Sequence, residues 1–216
     1  MLGLDEAGRG SVLGPLVVGG FLVGDAQVEE VRRAGARDSK LLTPQGRERV
    51  YRNLAQVGER HSITISPAEV DVAVRRGELN LLEARAFARL IRRTAPAEAY
   101  VDACDPVAAR FGRVVSRLAG DISVVRAAHH ADRDNPIVGA ASVVAKVRRD
   151  RAIGRLSRTL GLEIGSGYPS DPRTIAVVRA TLGGAHPDAP WIRHSWRTAE
   201  RLKPPHRIVP LEVFGR

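Results

Sequence analysis

The sequence predicts a mixed α/β sheet flanked by helices, with a short helical extension at the C-terminal end. Three observations carry that reading. Strand-like segments gather in the amino-terminal part and then alternate with helical ones, an order that lays helices over a mixed sheet. Asn135-Pro136 and Asp171-Pro172 mark helix starts, because the polar side chain caps the first turn and proline presets its backbone. No repeat, low-complexity tract or linker interrupts the chain before about Gly183, so residues 1–185 read as one domain and 186–216 as an extension.

The elements follow in order. Leu2 to Ala7 and Leu16 to Val23 read as strands joined through Gly8-Arg9-Gly10, with His61 to Ser66 as a third. Thr43 to Ala55 and Asn80 to Arg93 read as helices, the second from the spacing of Leu81, Leu82, Ala86 and Leu90. A short strand from Ala97 to Val101 ends in Asp102, Pro106 to Leu118 is helical, and Ile122 to Ala127 is another strand. A long helix opens at Asn135 with Ile137, Val138, Ala141, Val144, Ala145 and Val147 as its apolar positions, and a further one runs from Asp171 to about Leu182.

Composition excludes several classes. The 216 residues are 44% hydrophobic, enough for a core. The apolar run Val12 to Val23 is broken by Gly14, Pro15, Gly19 and Gly20 and falls short of the ~18 residues of a membrane span. It follows Asp5 and Glu6 rather than a basic segment, so it does not read as a signal peptide. The single Cys104 excludes an internal disulfide framework and suits a reducing cytoplasm, the expected location. Thirty-four Lys and Arg against 24 Asp and Glu give a net charge of +10, which favours a polyanionic partner through counterion release; a merely solvated basic surface explains the same excess equally well. Only Lys40, Lys146 and Lys203 are lysines, so a compact ammonium in place of the usual guanidinium marks a departure from the chain's own habit.

Asp5, Glu6, Asp102 and Asp132 stand at strand ends or in the loops after them, where open α/β sheets build sites. Converging carboxylates repel and either take up protons or attract cations, and an oxygen-only ligand set suits Mg²⁺ or Mn²⁺. Turn formation or helix capping explains any one of these acids as well. Asp105 and Asp134 compete with Asp102 and Asp132. Adjacent strand residues also face opposite sides, so Asp5 and Glu6 share a site only if the strand ends, bulges or twists there.

The wording of the motifs is more specific. Leu2-Gly-Leu-Asp-Glu-Ala-Gly-Arg-Gly10, continued by Ser11-Val-Leu-Gly-Pro-Leu16, resembles the opening signature of the ribonuclease HII family. Asp38-Ser-Lys40, Tyr100-Val-Asp102, Ala131-Asp132, Ala140-Ala-Ser-Val-Val-Ala-Lys146 and Gly165-Ser-Gly-Tyr-Pro-Ser-Asp171 resemble its later motifs in the same order. The resemblance spans about Leu2 to Arg197, is closest to the archaeal branch, and implies a ribonuclease H-like fold. It implies hydrolysis of RNA in RNA–DNA hybrids, and of single ribonucleotides embedded in duplex DNA. The cut falls 5′ to the ribonucleotide, leaves a 3′-hydroxyl and a 5′-phosphate, and uses two Mg²⁺ or Mn²⁺ ions. Carried over by matching motif, Asp5, Glu6, Asp102 and Asp132 are the metal-binding catalytic carboxylates. Gly8, Arg9 and Gly10 approach the ribose 2′-hydroxyl, Tyr168 packs near the sugar, and Lys40, Ser142 and Lys146 contact phosphate. Ser11 stands where the family favours proline, which is expected to loosen the loop after Gly10. The tail segment Leu211-Glu-Val-Phe214 faintly resembles a sliding-clamp-binding motif. Ile208 replaces its glutamine and Gly215 its second aromatic, so a clamp partner is the weaker expectation. The expected unit is a monomer.

Overall fold

The structure, a computed structural model, describes residues 1–36, 42–184, 186 and 188–204. β1 (Leu2–Ala7) and β2 (Leu16–Leu22) form a hairpin, followed by α1 (Val28–Arg33), α2 (Pro44–Asn53) and β3 (Glu59–Ile65). Then come α3 (Pro67–Arg75), α4 (Leu79–Thr94), β4 (Glu98–Asp102), α5 (Ala108–Ala119) and β5 (Val124–Ala128). The chain continues through α6 (Ala131–Asp134), the long α7 (Pro136–Leu160), α8 (Pro172–Gly183) and α9 (Arg197–Leu202). The sheet order is β3-β2-β1-β4-β5, antiparallel from β3 to β1 and parallel from β1 to β5.

Strands and helix starts fall where local chemistry puts them. Thr43, Asn135 and Asp171 each cap a helix whose first turn holds proline. Three helices, α1, α3 and the short α6, have no counterpart among the sequence expectations. The signal for α3 is nonetheless present: Ser66 caps Glu69 and Glu69 reaches back to Ser66, a complete capping box with Pro67 at its first position. Ser66, expected as the last residue of a strand, is therefore the start of a helix.

Alternation along β1 divides the molecule. Leu2 and Leu4 face α4 and α5 and share a core with Val18, Phe87, Leu90, Val101 and Phe111, where each fully buried side chain contributes about 1.5–3 kcal/mol. Gly3 and Asp5 face α7. A methyl at Gly3 would lie 2.2 Å from the carbonyl oxygen of Ile137, and one at Gly19 2.3 Å from that of Ala141. These two glycines let α7 lie directly on β1 and β2, so that side chains of α7 reach the end of β1. A third cluster joins Val12, Leu13, Ile153, Ile164, Val178, Ala189, Ile192 and Ala199. Ala189, Ile192 and Ala199, from the stretch expected as an extension, thus share a core with the β1–β2 loop, α7 and α8. No helix among the described residues is long and apolar enough to cross a membrane.

Candidate active site

Three of the four expected carboxylates converge. Asp5 on β1, Asp102 at the end of β4 and Asp132 on α6 each offer an oxygen within 4.8 Å of the others. Asp5 and Asp132 are buried, 3% and 4% exposed. Parallel pairing sets Leu4 beside Val101, which brings the next residues, Asp5 and Asp102, to the same edge on the α7 side. Asp102 accepts a hydrogen bond from the Ala131 amide at 3.1 Å, and this tie seats α6 against the end of β4. His130 precedes it in the left-handed region, φ 58°. Asp132, expected in a loop, therefore stands on a short helix anchored by another member of the cluster. Asp105 is engaged elsewhere, in an ion pair with Arg110.

Glu6 is placed differently. β1 stays paired through Ala7, so Glu6 faces the α4 side, outside the three-carboxylate set. There it meets Glu83, which is fully buried and takes an ion pair from Arg9. Burial and the charges of Asp5 and Glu83 push the Glu6 carboxyl well above the usual carboxylate range. Glu83 is raised by burial, against the pull of Arg9. The Cys104 thiol, beside Glu83, is pushed up by burial and stays protonated. Asn80 accepts a second hydrogen bond from Arg9 at 2.6 Å.

Behind Asp5 stands α7. Ser142 is fully buried, hydrogen-bonds the Asp5 carboxylate and accepts from the Lys146 ammonium. Ser142 is thus directed onto Asp5, and Lys146 is half-buried beside the carboxylates. Burial raises the Asp5 carboxyl to about 6, opposed by Lys146 and Ser142 and reinforced by Asp102. Lys40 lies outside the described residues.

The loop after β1 begins three residues beyond Asp5. Gly8 has φ 90°, and a side chain there would lie 2.4 Å from Nε of Arg149. Its amide donates to the Tyr168 hydroxyl at 3.1 Å. Gly10 is exposed, and a Cβ there would meet no protein atom within 4 Å. Ser11 corrects an expectation: its amide and its hydroxyl both donate to the Gly8 carbonyl, at 3.2 and 2.8 Å. Proline has neither donor, so serine closes this loop. His129 and His130 are exposed.

Sequence reasoning missed Glu83, Arg149, Arg193 and Asp71, all buried. Glu83 follows Leu79 by four residues and precedes Ala86 by three, a charged residue on an apolar face. Arg149 lies three residues after Lys146 and seven after Ser142, on the same face of α7. Arg193 and Asp71 carry no comparable periodic signal.

Three converging carboxylates, with Asp5 disfavoured as an anion by its burial, fit divalent cations, and the comparisons with known proteins agree. The family model for ribonuclease HII matches residues 2–199. Ribonuclease HII of Cenarchaeum symbiosum (strain A) is 44% identical over 204 residues, covering 93% of this chain and 97% of that protein. Ribonuclease HII in its complex with PCNA from Archaeoglobus fulgidus superposes with a TM-score of 0.83 at 34% identity, over 99% of each chain. Ribonuclease H2 from Pyrococcus horikoshii OT3 gives 0.84 at 38%, over 94% of this chain and 96% of that one. The chain belongs to the ribonuclease HII family, metal-dependent endoribonucleases acting on RNA–DNA hybrids.

Proposed function

We propose that this enzyme hydrolyses the phosphodiester 5′ to a ribonucleotide, in a hybrid or embedded singly in duplex DNA, leaving a 3′-hydroxyl and a 5′-phosphate. The observation that supports this best is the meeting of Asp5, Asp102 and Asp132 within 4.8 Å, with Asp5 leading within three residues into a loop whose Gly8 amide is held by Tyr168. Asp5, Asp102 and Asp132 would hold two Mg²⁺ or Mn²⁺ ions, with Glu6 contributing from the other face of β1. Such ions supply a water that deprotonates near neutral pH and charge for the leaving oxygen.

The chain's own residues do the rest. Ser142 and Lys146 fix the Asp5 carboxylate and keep it ionised against burial. Gly10 presents bare backbone to the sugar, where a 2′-hydroxyl can exchange hydrogen bonds that deoxyribose cannot. Tyr168, half-buried and tied to Gly8, packs beside that sugar. Lys146 and the positive surface hold phosphates; Lys40, by its motif, joins them. The reading is tested with end-labelled duplex DNA carrying one ribonucleotide, beside an all-DNA control, in Mg²⁺, Mn²⁺ and chelator. A metal-dependent cut 5′ to the ribonucleotide and an intact control are expected. Cleavage of the control would indicate a general nuclease, and binding without cleavage a non-catalytic nucleic-acid-binding module.

A sliding clamp is a natural partner, since a relative matching 99% of this chain is seen in a PCNA complex. The tail segment Leu211 to Phe214 lies outside the described residues. Co-elution with an archaeal clamp, lost on deleting 208–216, is the expected result. Of the expected monomer, size-exclusion chromatography with light scattering is the test.

A further inference from the structure

Two arginines are buried behind the loop after β1. Arg149 is 3% exposed and Arg193 0%, and neither forms an ion pair among the described residues. Desolvating a guanidinium without a carboxylate costs several kcal/mol, so an apolar side chain of similar size would serve packing better. What the guanidinium adds is a rigid fork of donors. Arg193 directs Nη1 to the carbonyl of Arg9 at 2.9 Å and Nε to that of Gly14 at 3.2 Å, thereby gripping both sides of the loop. Its backbone is itself pinned, with its amide on Val12 and with Asp71 accepting from the amides of His194 and Ser195 at 2.9 and 3.0 Å. Arg149 lies 4.4 Å over the Tyr168 ring and donates to Ser166 at 2.9 Å. It fills the space left by the absent side chains of Gly8 and Gly167.

We infer that Arg149 and Arg193 are positioning residues for ribose recognition: Arg193 sets the Gly8–Gly10 loop through the carbonyls of Arg9 and Gly14, and Arg149 sets Tyr168 against Gly8. The inference rests on the proposed reading of this loop and Tyr168 as the surface facing the sugar. Neither guanidinium touches the nucleic acid. Their loss affects the preference for a ribonucleotide and leaves general duplex affinity intact.

The test measures dissociation constants for two fluorescent duplexes of one sequence, with and without a single ribonucleotide, in Ca²⁺. The full chain is compared with Arg149→Lys, Arg193→Lys, Arg149→Met and Arg193→Met. The lysines keep the charge and the stem but not the fork. Each lysine variant is expected to lose about tenfold of the ribonucleotide preference, ~1.4 kcal/mol, with all-DNA affinity within about twofold of the wild type. In Mg²⁺, kcat falls while KM holds. A wild-type chain with no preference removes the underlying reading of the loop. A wild type with the preference, and folded lysine variants that retain it within twofold, overturns the role of the arginines alone. The methionine variants add the loss of charge where circular dichroism shows them folded; the lysine pair decides the matter where they are not.

Discussion

The end of β1 and the loop that follows it handle crowded charge of one sign in different ways. On the α7 side three carboxylates meet within 4.8 Å, with Lys146 and Ser142 drawing the Asp5 carboxyl down but not back to its ordinary value. Around the neighbouring loop burial lowers the hold of Arg149 and Arg193 on their protons, and the charge of Arg149 adds to the effect on Arg193, which is brought to about 10. The donors that find partners end on backbone carbonyls, and the guanidinium faces lie on Tyr168 and Trp196. Unbalanced acids leave room for a mobile cation and therefore for chemistry. Cations spent on carbonyls and rings leave no charge to offer a ligand and instead hold a shape.

The sharpest way to break that contrast is Asp5→Asn. Turnover on a ribonucleotide-containing duplex is expected to fall by about three orders of magnitude or more, with duplex affinity kept. Initial rates within tenfold of the wild type would take Asp5 out of the reaction. On the loop side, Gly8→Ala and Gly10→Ala form a matched pair. The first forces a Cβ to 2.4 Å from Arg149 at φ 90°, and is expected to lose about 1–3 kcal/mol of stability and about a hundredfold in rate. The second meets nothing and should keep stability within about 0.5 kcal/mol while still slowing cleavage; unchanged kinetics would remove Gly10 from the sugar contact.

A pH comparison sharpens the acidic side. The Asp5 carboxyl is raised from 3.8 to about 6 in the folded chain. The folded state therefore binds the proton more tightly than the unfolded one, and the stability this contributes is full below about pH 4 and lost as pH rises through 6. In chelator, the wild type is expected to lose more melting temperature between pH 5 and pH 8 than Asp5→Asn does, and Mg²⁺ should restore part of that loss at pH 8. Parallel profiles for the two proteins would contradict the burial of an ionised Asp5. The smallest effect is expected of Ser11→Ala. It removes one of the two hydrogen bonds to Gly8, worth about 1 kcal/mol, or ~2–4 °C in melting temperature.

The fold class was legible because it rests on local signals: alternation in β1 and β2, Asx-Pro helix starts at Asn135 and Asp171, and the apolar face of α7. Helix α3 escaped although its capping box is written in Ser66-Pro-Ala-Glu69, because a strand pattern running up to Ser66 took precedence. The carboxylates were legible as residues, and the alternation rule already warned that Glu6 would face away from Asp5. Their assembly was not legible, since it depends on the register of β1 with β4 and on the seat of α6. The buried arginines were hidden for a different reason. Among 34 basic residues, nothing local separates a guanidinium bonded to a carbonyl 184 residues away from one in water.

That last separation has a consequence for the order in which the enzyme comes into being. Asp5, Asp102, Asp132, Ser142 and Lys146 are all synthesised before Arg193, which follows the last of them by 47 residues and only then can hold Arg9. Contacts between distant parts of a chain close late. On the ribosome, the part that would cut is complete well before the part that would choose where.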